Sequence, residues 1–253
     1  MIILCEMSAA SYDTLINILY LICILFIPVL LWSIYVSFKV KSNFKKFNMV
    51  SSKKGLPAHI VARQILDSEG LTNVQIGRCG GSLSDHYDPR NNTVYLSESV
   101  YNSPSIAAIG VAAHEVGHAI QHARNYAPVK IRGALVPVLN ISSKMLIPIL
   151  IVNIFLTIFL PVNSAIPMYI YYAIFGIYAL NMLFAMVTLP CEFNASSRAK
   201  EILVDMGMLD EDEIRGVSKV LRSAAMTYVA SFVLTLIQLA RILLIILSNR
   251  RRD

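Results

Sequence analysis

Near the middle of the chain, His114-Glu115-Val116-Gly117-His118 has residue types and spacing suited to metal-assisted hydrolysis. Two histidines four residues apart project from one face of an α-helix, so their ring nitrogens can converge on a single divalent ion. Glu115 follows the first histidine and projects beside that ion. There it can take a proton from an attacking water and return it to a departing amine. Nitrogen ligands of this kind suit zinc, which polarises a carbonyl and brings the pKa of its water near neutrality. His122 continues the series but lies roughly 12 Å along the helix axis from His114, and three points on a line cannot close around one ion. No glycine in Ala119-Ile120-Gln121 breaks the helix to bring it back. His122 is therefore expected to support a neighbour or face solvent.

The third ligand must come from elsewhere, with the fourth position left open for water. Glu192 is the expected donor, because it opens a polar stretch where an apolar segment ends at Leu189-Pro190. Asp205, Asp210, Glu211, Asp212 and Glu213 form a looser run that reads as solvated. Tyr228 has two readings, an interfacial anchor or a donor to the oxyanion formed during attack. Arg198 or Arg222 could supply positive charge there instead.

The metal residues need a helix, and Ser103 with Pro104 resembles its N-cap and first position. Small and apolar neighbours (Val111, Ala112, Ala113, Val116, Ala119, Ile120) predict that it is buried. Upstream, Pro57 to Ser68 reads as a helix, and Asn73–Arg78, Ser82–Tyr87 and Thr93–Leu96 read as three strands separated by Gly80-Gly81 and by Asp88-Pro89-Arg90-Asn91-Asn92. The strand around Leu83 to Tyr87 is suited to pair with an extended peptide through its backbone, with His86 and Tyr87 either facing the site or lying on the surface.

These elements sit in a chain built for the bilayer. Of its 253 residues, 56% are hydrophobic and 15% charged, against about 25% charged in soluble domains. Four segments are long and apolar enough to span: Thr14–Phe38, a hairpin of Met145–Val162 and Ala165–Leu189, and Met226–Leu247. The hairpin turns through Pro161 to Ser164. Gln238 and Arg241, inside the last span, are expected to face other helices rather than lipid. The net charge of +6 does not indicate nucleic acid, because the basic residues flank apolar segments, where they orient spans and touch anionic lipid. Lys39, Lys41, Lys45, Lys46, Lys53 and Lys54 follow the first span and place that side in the cytoplasm. Arg250, Arg251 and Arg252 run against this orientation. Cys5, Cys23, Cys79 and Cys191 show no paired spacing, which argues against a disulfide framework or a cysteine zinc site.

The organisation expected is a mainly α chain of four transmembrane helices carrying a small α+β zincin-like minidomain on the cytoplasmic face. Its segments are 14–38 (a signal anchor), 39–135 (the α+β part with the histidine helix), 136–189 (the hairpin), 190–225 (with the third ligand) and 226–247. Four strings carry a resemblance: Ser84-Asp85-His86-Tyr87-Asp88-Pro89-Arg90, Gly110 to Gln121, Leu189 to Ser196, and Ala224 to Ala230. In this order they resemble the YugP-type membrane neutral zinc metallopeptidases of bacteria. The resemblance implies a gluzincin-like zinc site with His114, His118 and Glu192 as ligands and Glu115 as general base. It also implies a protein of the bacterial plasma membrane, multi-pass by its four spans; the substrate expected is a membrane protein or a peptide near the bilayer, because the site is tethered there. A weaker likeness to the HtpX and CAAX-protease class brings an ExxxD motif, and Ser196 stands where its aspartate would be. The alternatives from other classes are a membrane scaffold or regulatory protein that holds zinc without catalysis, and a channel or transporter using Gln238 and Arg241.

Overall fold

The structure, a computed structural model, describes residues 9–159 and 166–249. The expected turn at Pro161 to Ser164 and the basic cluster Arg250 to Arg252 fall outside these residues. Among the described residues the order is α1 (Ala9–Asn48), α2 (Ala58–Ser68), β1 (Gln75–Cys79), β2 (His86–Asp88), β3 (Thr93–Ser97), α3 (Glu98–Tyr101), α4 (Ile106–Ala123), α5 (Ala127–Phe159), α6 (Ile166–Asp205) and α7 (Glu211–Asn249). The chain is mainly helical with one small sheet, and it divides into two compact units.

One unit, formed from Met1–Ser33, Gly133–Met186 and Ala230–Asp253, holds the most apolar stretches. Its small core gathers Ile174, Ile242 and Ile246, with Leu146, Ile149 and Tyr171 packed against it. Elsewhere large aliphatic side chains point outward, among them Ile24, Leu31, Ile147, Ile151 and Ile158. Water would penalise such faces, and the hydrocarbon of a bilayer does not. Four helices are long and apolar enough to cross a membrane, over Tyr20–Asn48, Ala127–Leu156, Met168–Asp205 and Glu211–Ser248. In the last of these, Gln238 Oε1 and Arg241 Nε are buried within the protein, in keeping with inward-facing polar groups.

These helices outlast a bilayer core. At about 1.5 Å per residue, the 40 residues of α6 reach about 60 Å, twice the roughly 30 Å of hydrocarbon. Pro190 does not end α6, which continues to Asp205 and so carries Glu192 within the helix.

The other unit spans Ile34–Arg132 and Val187–Val229. Its core joins Ile65 and Leu66 of α2, Leu96 of β3, Ile109 and Ile120 of α4, Leu203 of α6 and Val217 of α7. The sheet order is β1-β3-β2, with β1 parallel and β2 antiparallel to β3, which leaves β2 at one edge. The N-cap of α4 is Ser105 rather than Ser103: its hydroxyl accepts from Ala108 N–H at 3.2 Å. Residues around Pro104 are held in extended form, by Ser52 N–H donating to the Pro104 carbonyl at 2.9 Å and by a bridge between Ser51 and Ser105, so the helix starts two residues later. Of the acids expected in a solvated run, Asp210 and Glu213 instead form a reciprocal capping box on α7. Glu213 N–H donates to Asp210 and Asp210 N–H to Glu213, both at 2.9 Å.

Gly110 marks where α4 meets α7, since a Cβ there would lie 2.6 Å from Val217 Cγ1. Gly110→Ala is expected to destabilise this unit by about 1–3 kcal/mol through overpacking. Val217→Ala in the same chain should recover part of that loss, read as a thermal shift of the detergent-solubilised protein in a double-mutant cycle.

Candidate metal centre

Helix α4 presents His114 and His118 on one face, and α6 brings Glu192 to meet them. Glu192 Oε2 lies 3.3 Å from His114 Nε2 and 3.7 Å from His118 Nε2. One ligand atom from each of the three residues lies within 4.8 Å of the others, and all three side chains are largely shielded from solvent. The approach depends on Gly117, where a Cβ would sit 2.8 Å from the Ala195 carbonyl oxygen on α6. Backbone cannot step aside as a side-chain tip can, so only glycine lets the two helices come this close.

The second nitrogen of each imidazole is occupied. His118 Nδ1 lies 3.0 Å from Gln121 Oε1. Gln121 spends its amide hydrogens on the Cys191 carbonyl at 2.8 Å and Asn194 Oδ1 at 3.0 Å, so its Oε1 accepts and His118 Nδ1 donates. Arg198 Nε completes this network on Asn194 Oδ1 at 2.8 Å. His114 Nδ1 faces Ser196 Oγ at 3.1 Å. Ser196 thus sits on a metal-facing histidine from the position where the related motif has aspartate. Both imidazoles are held with Nε2 towards Glu192, the orientation a metal ligand needs.

Glu192 is buried, and a buried carboxylate needs partners. Arg132 on α5 supplies one, its Nη1 donating to Oε1 at 3.0 Å while Oε2 turns to the histidines. Of the arginines considered from sequence, Arg198 serves the Gln121 network and Arg222 is exposed. Arg132 and Gln121 went unread. An arginine just before an apolar span looks like an orienting charge, and a glutamine three residues past a histidine looks like helix filler. Ser196 was singled out only as standing where the ExxxD aspartate would be, and its contact with His114 was not foreseen.

Glu115 is buried beside this group without joining it, and its Oε2 accepts the Tyr87 backbone N–H of the edge strand at 3.1 Å. The Tyr87 side chain turns away, its hydroxyl donating to Asn92 Oδ1 at 2.7 Å and its ring lying 5.4 Å from that of His122. His122 therefore supports β2 and stands outside the convergent group, as its spacing required. Burial, with His118 and Arg132 nearby, lowers its pKa. His86 is exposed and stacks on Tyr95. Asp85 is held by Ser97, whose N–H donates to Oδ1 at 2.7 Å and whose hydroxyl donates to Oδ2 at 3.0 Å; burial raises its pKa. A cavity of about 190 Å³ opens onto His114, Glu115 and Glu192, and Tyr228 lines it.

The donor set fits zinc. In a tetrahedral site with bonds of about 2.0–2.1 Å, ligand atoms stand roughly 3.3 Å apart. The separations of 3.3 and 3.7 Å match this closely. A hydrogen-bonded ion pair has similar lengths. What marks a metal cradle is that two imidazoles offer Nε2 to the same carboxylate oxygen while each is braced at Nδ1.

Comparison with known proteins agrees. Residues 22–247 match the sequence model of a family described as "Putative neutral zinc metallopeptidase". The chain belongs to this family. It is 42% identical over 218 residues to the protein named "Putative membrane protease YugP" of Bacillus subtilis (strain 168), an alignment covering 86% of this chain and 93% of that one. No solved structure matches.

Gly117→Ala is expected to push α4 from α6 and to lower metal uptake by the solubilised protein, measured by metal analysis after dialysis. The same substitution at Gly133, where a Cβ meets nothing within 4 Å, should leave uptake intact.

Proposed function

We propose that this chain is a membrane-embedded zinc metalloendopeptidase of gluzincin type. Supporting this reading above all is the convergence of His114, His118 and Glu192 with a separate buried carboxylate, Glu115, at their side. His114 Nε2, His118 Nε2 and Glu192 would hold the ion. When bound, zinc supplies a Lewis acid that polarises a carbonyl and acidifies water. Glu115 takes the proton of the attacking water and hands it to the leaving amine. Gln121 and Ser196 keep the imidazoles turned inward, and Arg132 holds one oxygen of Glu192, which leaves the other facing the imidazoles. Tyr228 lines the cavity beside the reacting groups and is placed to donate to the developing oxyanion.

The α+β part acts as a zincin-like minidomain. Substrate lies extended along the free edge of β2, where the Tyr87 N–H now bonded to Glu115 points. The lysine cluster after the first span supports a site on the cytoplasmic face of the bacterial plasma membrane. The substrates are peptides or membrane proteins presented near the bilayer, because the site rides on helices continuous with the apolar segments. A zinc-holding scaffold has no use for a buried base that touches none of the ligand atoms.

Glu115→Gln should retain zinc and lose peptide hydrolysis by at least a hundredfold, measured on the purified protein in detergent. His118→Ala should lose the zinc itself. Gln121→Ala should weaken zinc binding by about 10–100-fold in competition with a chelating dye. Native-rate cleavage by Glu115→Gln would contradict the assignment of the base.

A further inference from the structure

The cavity beside the metal-facing residues has a composition of its own. Its far walls are apolar: Val40 and Phe44 of α1, Val111 of α4, Leu221 and Ala224 of α7, and Leu83 from the segment before β2. At its near end stand His114 and Glu115, so whatever fills it is joined to the atoms that react. An apolar cavity of about 150 Å³ accommodates one benzene, so a cavity of about 190 Å³ has room for a single large side chain. Asp85 also reaches the cavity, but Ser97 occupies both its oxygens, which leaves no bare carboxylate to select a cation.

We infer that this cavity is the specificity subsite for one large aliphatic or aromatic side chain next to the scissile bond. The inference rests on the peptidase reading above. Burying such a side chain against these walls favours it over alanine by tens to hundreds of times, since each methylene in an apolar pocket contributes about 10–200-fold. Ala224 lines the cavity from α7 and is itself neither a metal-facing nor a proton-moving group, so enlarging it takes up space from that side.

The test uses the zinc-loaded full chain in detergent and a peptide library varied on both sides of the cleaved bond. The wild type is expected to cleave peptides with Leu or Phe at one flanking position at least tenfold faster than those with Ala or Lys. Along Ala224→Val, Ala224→Leu and Ala224→Phe, that preference should shrink step by step and pass to Ala, while zinc content stays at the wild-type level. If the bulkiest variant fails to hold zinc, the two smaller ones still decide the trend. Equal rates for Ala, Lys, Leu and Phe in the wild type would overturn the subsite and leave the peptidase reading standing. So would an unchanged preference in variants that keep their zinc. A zinc-loaded wild type that cleaves no peptide would refute the peptidase reading, and the subsite with it.

Discussion

The site turns on a buried carboxylate that cannot stand alone. Glu192 sits in a part of the protein where an unpaired charge would cost several kcal/mol. Arg132 satisfies one of its oxygens, and the other faces two imidazoles that are neutral when they act as ligands. A divalent cation would balance this group. Much of the surrounding structure serves to keep the group together: Gly117 allows the helices to close, Gln121 and Ser196 fix the rings, and α6 passes through Pro190 without breaking.

How much of this could be read in advance differs from residue to residue. His114, Glu115 and His118 were legible because their geometry is local: one helical turn sets it, and no tertiary contact is needed. His122 was excluded for the same reason. The meeting of Glu192 with the histidines is a long-range contact, which only the order of apolar segments and the resemblance could indicate. The α2 helix and the first and third strands emerged close to their expected places, because turn residues and Pro57 punctuate them; the second is His86–Asp88 rather than Ser82–Tyr87, since Leu83 takes a left-handed φ of 57° that breaks the extended run. The cap of α4 was displaced by two residues, since Ser103 and Ser105 are equally good caps and a tertiary bridge to Ser51 chose between them. Arg132 and Gln121 were invisible, because their roles depend on partners 60 and 70 residues away.

The long helices carry both outward apolar faces and the residues of the candidate metal centre. The outward aliphatic faces of α1 and α5 need hydrocarbon around them, while the polar half of α6 carries Glu192, Asn194 and Ser196. A carboxylate on a continuous helix is positioned more firmly than one on a loop, which suits a ligand that must meet two others within a few tenths of an ångström. The edge strand, in turn, is tied to Glu115 through the Tyr87 N–H, so under the proposed function substrate docking and proton transfer would share one hydrogen-bonding group.

The most direct measurement is X-ray absorption at the zinc K-edge on the purified, zinc-loaded protein. The expected spectrum shows a first shell of nitrogen and oxygen at about 2.0–2.1 Å, with the outer scattering of two imidazoles and no sulfur. Replacing Glu192 by glutamine should alter that shell and weaken the binding. A shell containing sulfur, a single imidazole, or a protein that takes up no zinc at all would contradict a centre built on His114, His118 and Glu192.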